Sequence, residues 1–370
     1  MPADIKGLGD LPQQEKERLR QTGLEEDMTK RAGSYFQINQ EVIQAGSQAE
    51  GIEVLPISEA LEKYDELKEY YWKAVPKEKD KYTAYVARQK EPRGVFIRAR
   101  EGAKTVLPLQ ACLYLAAERV QHVHNIIIAE KGAEVHLISG CASATHNVAG
   151  AHIGVTEFYV GEGAKITSTM IHSWGAKISV FPRSAAFIEK GGTFLSNYVC
   201  LQPVKKIEMY PTAFLRGEGA MARFSSIVMA LPASTFDIGS RAILGEKGSS
   251  AELITRAITR GGNVISRGHV VGASDGTKGH IECRGLILGD GLIHAIPEIE
   301  GKVMGTELSH EAAVGKIARE EIEYLMARGL TEEESTATII RGFLDVKIQG
   351  LPDVLQKQID AAIDAAEKGF

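Results

Sequence analysis

Charged residues with spaced apolar positions run from Gln13 to Leu24, and Ser58 opens a second amphipathic stretch through Leu61 and Glu62 to about Tyr71. Apolar residues at that spacing share one face of a helix, and Ser58 suits an N-cap. Pro76 and the charged run Lys77 to Lys81 end the stretch, so residues 1–80 read as an N-terminal helical region. From Tyr82 to about Gly301 the pattern changes to short β-rich runs punctuated by glycine, and one phrase recurs at Gly102, Gly132, Gly163, Gly191, Gly219 and Gly248. In each copy a charged or glycine pair precedes the key glycine, and a small residue follows it. The steps between these glycines are 30, 31, 28, 28 and 29 residues. A fixed period of that size signals a solenoid whose repeats stack on one another. The repeats offer short strand candidates, such as Val135 to Ile138 and Lys177 to Phe181, joined by tight glycine turns. The fold expected for residues 81–303 is therefore a parallel β-helix.

Beyond Gly301 the periodicity turns helical again. Ile317, Ile322, Leu325 and Met326 lie on one helix expected over Ala312 to Arg328, with Gly329 at its C-terminal end. Thr331-Glu332-Glu333-Glu334 forms a capping box for the next helix, which ends near Arg341, and Leu351 to Glu367 is a last amphipathic segment. Residues 304–370 thus read as a C-terminal helical domain. The fold class is mainly β, a parallel β-helix flanked by N- and C-terminal α-helical domains.

Composition narrows the functions. The 370 residues are 44% hydrophobic and 25% charged, as in ordinary globular proteins. No apolar run approaches the roughly 18 residues that cross a bilayer, and Met1-Pro2-Ala3-Asp4 lacks a signal pattern. The chain reads as cytoplasmic, without a membrane partner. Lys and Arg number 43 against 48 Asp and Glu, a net charge of −5 that argues against nucleic acid. No phosphate-binding Gly-x-x-x-x-Gly-Lys-Ser/Thr loop is present, so no nucleotide is expected on this chain. Its four cysteines, Cys112, Cys141, Cys200 and Cys283, are too sparse for a disulfide framework and include no Cys-x-x-Cys pair.

In a solenoid, equal offsets from the turn glycines stack into columns. Cys141, His172 and Cys200 each lie nine residues after Gly132, Gly163 and Gly191, which places them in one line if the coils are in register. Cys112 lies ten after Gly102 and would face the other side. Cys112 and Cys200 equally suit core filling. The densest segment holds Cys283, Asp290, His294, Glu298, Glu300, Glu307, His310 and Glu311, a thiolate, imidazole and carboxylate mixture suited to holding iron or zinc reversibly, or simply a charged solenoid edge. His122 and His124 share a strand face and read more simply as polar contacts, as do His269 and His280.

Several motifs in order resemble one family. Cys283-Arg284-Gly285-Leu286-Ile287-Leu288-Gly289-Asp290, His294 to Glu300, Leu308-Ser309-His310-Glu311-Ala312-Ala313-Val314-Gly315 and Arg328-Gly329-Leu330-Thr331-Glu332-Glu333 are similar to the C-terminal half of the SufB and SufD proteins of SUF-type iron-sulfur cluster assembly. Ser139-Gly140-Cys141-Ala142 extends the likeness toward the N-terminus. The resemblance implies a right-handed parallel β-helix between helical domains. It implies that Cys141 accepts sulfur, that Cys283 is the thiolate where a transient cluster forms, and that His310 and Glu311 join Cys283 as metal ligands. It also implies a sulfur path inside the helix between Cys141 and Cys283.

His310 matches the SufD histidine and Glu311 the SufB carboxylate, so one chain carries both features, which implies a homodimer through the β-helix. Further partners implied are a sulfur donor, apoprotein acceptors and SufC, an ABC-type ATPase docking on about Ala312 to Gly342 through Ile322, Leu325 and Phe343. The function expected is a scaffold and not an enzyme. The alternatives are a SufD-like structural partner without a cluster, and a β-helix enzyme acting on polysaccharide, which the 6% aromatic content disfavours.

Overall fold

The structure, a computed structural model, describes residues 8–117, 119–144 and 149–344. Among the described residues, strands form two sheets of ten and eleven strands in which coil after coil pairs in parallel. One sheet stacks Leu109–Leu115, Glu134–Ser143, Lys165–Ser173, Thr193–Cys200, Met221–Ala230, Ser250–Thr259, Lys278–Ile287 and Glu307–Gly315 in sequence order. The other runs from Ile52–Pro56 at one edge to Leu292–Gly301 near the opposite end. This is the parallel β-helix that the glycine period predicts.

Each turn glycine adopts positive φ, from 62° at Gly191 to 70° at Gly102, where a Cβ would strain the backbone. Their N–H groups form a ladder: Gly132 donates to the carbonyl of Glu162, Gly163 to Lys190, Gly191 to Glu218 and Gly219 to Lys247, all at 2.8–3.0 Å. The repeat also continues beyond Gly248. Gly276 and Gly305 take φ of 67° and 86°, steps of 276 − 248 = 28 and 305 − 276 = 29 residues. Their surroundings, Ser274-Asp275-Gly276-Thr277 and Met304-Gly305-Thr306, lack the charged-Gly-Ala phrase and so escape a search for it.

Both ends differ from the helical expectation. Within residues 1–80 the chain forms strands Gly33–Ile38, Glu41–Ser47 and Ile52–Pro56. Gly33–Ile38 is buried along its whole length, so polar and apolar positions do not alternate there and the strand leaves no period-two signal. Helices do form at Gln13–Arg20 and Ile57–Lys63, the latter entered from Pro56 and not capped by Ser58. At the other end Glu307–Gly315 is a strand paired with Lys278–Ile287, carrying the solenoid past residue 303. The alanines at 312 and 313 follow the ladder offered by the preceding coil, not their helix preference.

The flanking pieces are tied to the solenoid. Glu157 Oε2 accepts from the backbone N–H groups of Lys73 and Ala74 at 3.0 and 3.3 Å, and Tyr71 stacks on His124 with centroids 4.3 Å apart. Helices Arg319–Met326 and Glu332–Leu344 follow the last coil. The capping box forms as expected: Glu334 N–H donates to Thr331 Oγ1 at 3.1 Å, and Thr331 N–H donates to Glu334 Oε2 at 2.8 Å. Ile340, Phe343 and Leu344 lie against Ile171, Val199, Ile227, Met229, Ile258 and Leu286 on the outer face of the first sheet. Arg256 Nη1 donates to the Phe343 carbonyl at 2.9 Å. Phe343 is therefore used by the chain's own solenoid. The segment Leu351 to Glu367 lies outside the described residues.

Candidate functional site

Register converts the glycine offsets into columns of side chains. Cys141 is the direct partner of His172, and Val199 that of Ile171, so Cys200 follows in line after His172. Cys141 and Cys200 belong to the main core, and His172 is buried in line with them. Cys112 pairs with Gly140 while its neighbour Leu113 pairs with Cys141. Alternation therefore turns Cys112 to the outside of the sheet, toward Arg31 on the N-terminal segment. Gly140 itself is required by that segment: a Cβ there would stand 2.6 Å from the Thr22 carbonyl oxygen.

A second column runs two residues nearer the turns, each member seven residues after its glycine. It reads Ser139, Met170, Tyr198, Ser226, Thr255, Cys283 and then Ala312. With strands about 4.8 Å apart, the five steps from Ser139 to Cys283 span about 24 Å. The first four members line an interior cavity of about 60 Å³, together with Cys141, His152, His172, Ser184 and Ser240. Thr255, Cys283 and Ser266 continue the polar run as buried residues beyond it. Ser266 Oγ lies 3.8 Å from Cys283 Sγ. The seven-residue offset was available from the sequence, but a search anchored on the Cys141 offset of nine passes over it.

Burial dominates the electrostatics. It pushes the Cys141 thiol above its ordinary range and the Cys200 thiol up to about 12. The Cys283 thiol is also raised by burial, partly offset by the hydrogen bond with Ser266. Burial lowers His152 to about 3 and drives His172 well below its usual value, so both are neutral. His152 Nδ1 is 2.9 Å from Gln121 Oε1. All four cysteines are free thiols.

Cys283 sits one coil from the end of the solenoid, and its partner on the last strand is Ala312. His310, partner of Ile281, shares the inward face two residues away and is exposed at the mouth, where among the described residues no further coil stacks on it. Glu311 pairs with Glu282 and points to the outer face, where Arg284 Nη2 lies 3.1 Å from its carboxylate and Arg284 Nε 2.9 Å from that of Glu282. Within one chain the fold thus brings Cys283 and His310 to one face and turns Glu311 away. Among the described residues, no group of three or more His, Cys, Asp or Glu side chains is placed to hold a metal.

The remaining candidates are dispersed. His294, Glu298 and Glu300 alternate outward on Leu292–Gly301, and His269 lies 3.8 Å from Glu300. His280 Nδ1 is 2.9 Å from Ser309 Oγ. His124 is buried 3.3 Å from Glu157, an internal polar contact. No described helix is long and apolar enough to cross a membrane.

The fold and the site together define a parallel β-helix with a file of polar and thiol side chains inside it. Residues 113–343 match the SufBD core domain of SUF system FeS cluster assembly. An iron-sulfur cluster assembly SufBD family protein of Archaeoglobus fulgidus is 49% identical over 355 residues, covering 96% of this chain and 95% of its own. One from Methanothermobacter thermautotrophicus is 44% identical over 373 residues, covering 99% and 91%. One from Staphylococcus aureus is 31% identical over 355 residues, covering 93% and 76%. The chain belongs to the SufBD family of iron-sulfur cluster assembly proteins.

Proposed function

We propose that this chain is a scaffold on which a transient iron-sulfur cluster forms at Cys283 from sulfur received at Cys141. The observation that carries this reading is the interior file from the Cys141 cavity through Tyr198, Ser226 and Thr255 to Cys283, one coil from the open end. A persulfide donor hands its outer sulfur to Cys141: the donor S–S bond breaks, a new one forms on Cys141, and the donor departs as a thiol. Passage along the interior keeps the sulfur from bulk water and stray thiols, and an electron donor from outside the chain supplies the two electrons per sulfur atom that turn persulfide-level sulfur into the sulfide of the cluster. At rest the buried Cys283 is a protonated thiol, and iron displaces that proton as it binds. His310, on the same inward face, supplies a neutral nitrogen ligand.

A second copy completes the site in this reading. The N-terminal edge of each sheet is closed by an antiparallel strand, Glu41–Ser47 or Ile52–Pro56, whereas among the described residues no strand pairs with the outer edges of the last coil, and its inward residues Ala312, Val314, Pro297 and Ile299 are exposed. Bare edges and apolar ends of this kind are what a two-fold partner covers. The homodimer would also bring the partner's carboxylate and imidazole groups to the mouth, so that a Glu311 ligand comes from across the boundary. ATP hydrolysis belongs to a SufC-type ABC ATPase docking on helix Arg319–Met326, where Tyr324 and Met326 are exposed and Ile322 and Leu325 half-buried. The finished cluster passes to apoprotein acceptors.

The test is anaerobic co-expression with the ATPase, followed by iron and acid-labile sulfide analysis. The reading expects both in the wild-type complex and their loss, with the visible charge-transfer absorbance, in Cys283→Ala. An iron-free wild-type complex would point to a SufD-like structural partner instead, and an unchanged spectrum in Cys283→Ala would assign the thiolate elsewhere.

A further inference from the structure

His172 is held from two sides inside the cavity. Its ring meets Tyr198 edge-on, with centroids 5.1 Å apart at 88°, and Trp174 at 5.4 Å and 67°. Its Nδ1 is 2.9 Å from the Tyr198 hydroxyl. Burial keeps the Tyr198 phenol protonated and the His172 ring neutral. A phenol donates to an imidazole nitrogen in preference to a thiol sulfur, which is a weak acceptor. Nδ1 is then the acceptor, and the ring proton sits on Nε2.

That Nε2 has no hydrogen-bond partner, although His172 is 2% exposed. An orphaned buried donor is rare and calls for an explanation. His172 is the direct cross-strand partner of Cys141, and both line the same cavity of about 60 Å³. On a scale where roughly 10–15 Å³ admits one water, that space takes an additional sulfur atom.

We infer that His172 Nε2–H is a binding site for the outer sulfur of a hydropersulfide on Cys141, and that Tyr198 is a positioning residue holding His172 in the donating tautomer. The inference rests on the reading that Cys141 accepts sulfur. Loading is a transpersulfidation: the Cys141 thiolate attacks the outer sulfur of a donor R–S–SH, the donor S–S bond breaks as the new bond forms, and R–S⁻ takes up the proton that Cys141 released. No oxidant or reductant is consumed. The outer sulfur on Cys141 ionises more readily than the parent thiol, and an anion in this interior needs a donor beside it. His172 provides one without adding a positive charge, which would trap the sulfur.

The test uses the full-length chain, loaded anaerobically with inorganic polysulfide and freed of excess reagent. Mass spectrometry of the Cys141 peptide follows loss of the extra sulfur to a small thiol, and ¹⁵N shifts report the His172 tautomer. The wild type should display the Nε2–H form. Tyr198→Phe should mix the tautomers, and both it and His172→Leu should lose the sulfur about tenfold faster, the worth of one hydrogen bond to a charged group. His172→Gln, which keeps an N–H at similar reach, should restore retention. Should His172→Leu fail to fold, Tyr198→Phe against His172→Gln decides the matter. A wild-type Nδ1–H tautomer, or equal retention in wild type and Tyr198→Phe, overturns the role of His172 while leaving sulfur acceptance intact. A wild type that takes up no sulfur at Cys141 overturns both.

Discussion

His152 shows how interior polar groups set conditions for this fold. Burial, reinforced by His122, lowers its imidazole to about 3. An unfolded histidine has a pKa of about 6.5, so below that value the unfolded chain binds more protons than the folded one, and stability falls as pH falls toward the folded value. Stability is complete above about 6.5. At pH 5 His152 alone should cost about 2 kcal/mol relative to pH 7.5, measurable by denaturant unfolding at the two pH values, and His152→Gln should remove about that much of the difference and leave the share of His172 and the other buried imidazoles. An unchanged midpoint between pH 7.5 and 5 would show that the ring is hydrated. Much of the site was legible at this scale. The line of Cys141, His172 and Cys200 followed from counting residues after each turn glycine. The opposite faces of Cys283 and Glu311 did not, because they depend on strand parity in a segment whose alanines suggested helix. Tyr198 and His152 were not legible either, since their roles arise from burial and cross-coil contact rather than residue type.

Two glycines separate the backbone cost of a coil from its packing cost. Gly163 has φ of 63° and open space around a built Cβ, so Gly163→Ala should cost about 1 kcal/mol, the usual penalty for an L-residue in left-handed backbone. At Gly140 the added Cβ would meet both the carbonyl and the hydroxyl of Thr22 at 2.6 Å. Gly140→Ala should therefore lower the melting temperature by at least twice as much and expose the segment around Thr22 to protease. Equal effects would mean that the N-terminal segment is loosely held. The same turn phrase made the coils readable from Gly102 to Gly248. Of the strands between residues 33 and 56, Gly33–Ile38 was hidden because it is buried on both faces. For docking, substitution of Ile322 and Leu325 by aspartate should abolish co-purification with the ATPase, whereas Phe343→Ala should chiefly loosen helix Glu332–Leu344 from the solenoid.

Among the described residues the solenoid is asymmetric, closed by antiparallel strands at one end and open at the other. Val314, 42% exposed on the last strand, lies at that open mouth. The wild-type chain should have the mass of a dimer by light scattering, and Val314→Asp that of a monomer; a monomeric wild type would remove the boundary at which the ligands are assembled. The central claim, however, is that sulfur travels inside the solenoid from Cys141 to Cys283. It is tested most directly by loading Cys141 with ³⁵S, adding ferrous iron anaerobically in the presence of the ATPase and ATP, and mapping the label. The account predicts that label leaves Cys141 for Cys283 and the cluster in the wild type and stays on Cys141 in Cys283→Ala. Cluster formation at an undiminished rate in Cys141→Ala supplied with the same persulfide donor would contradict it.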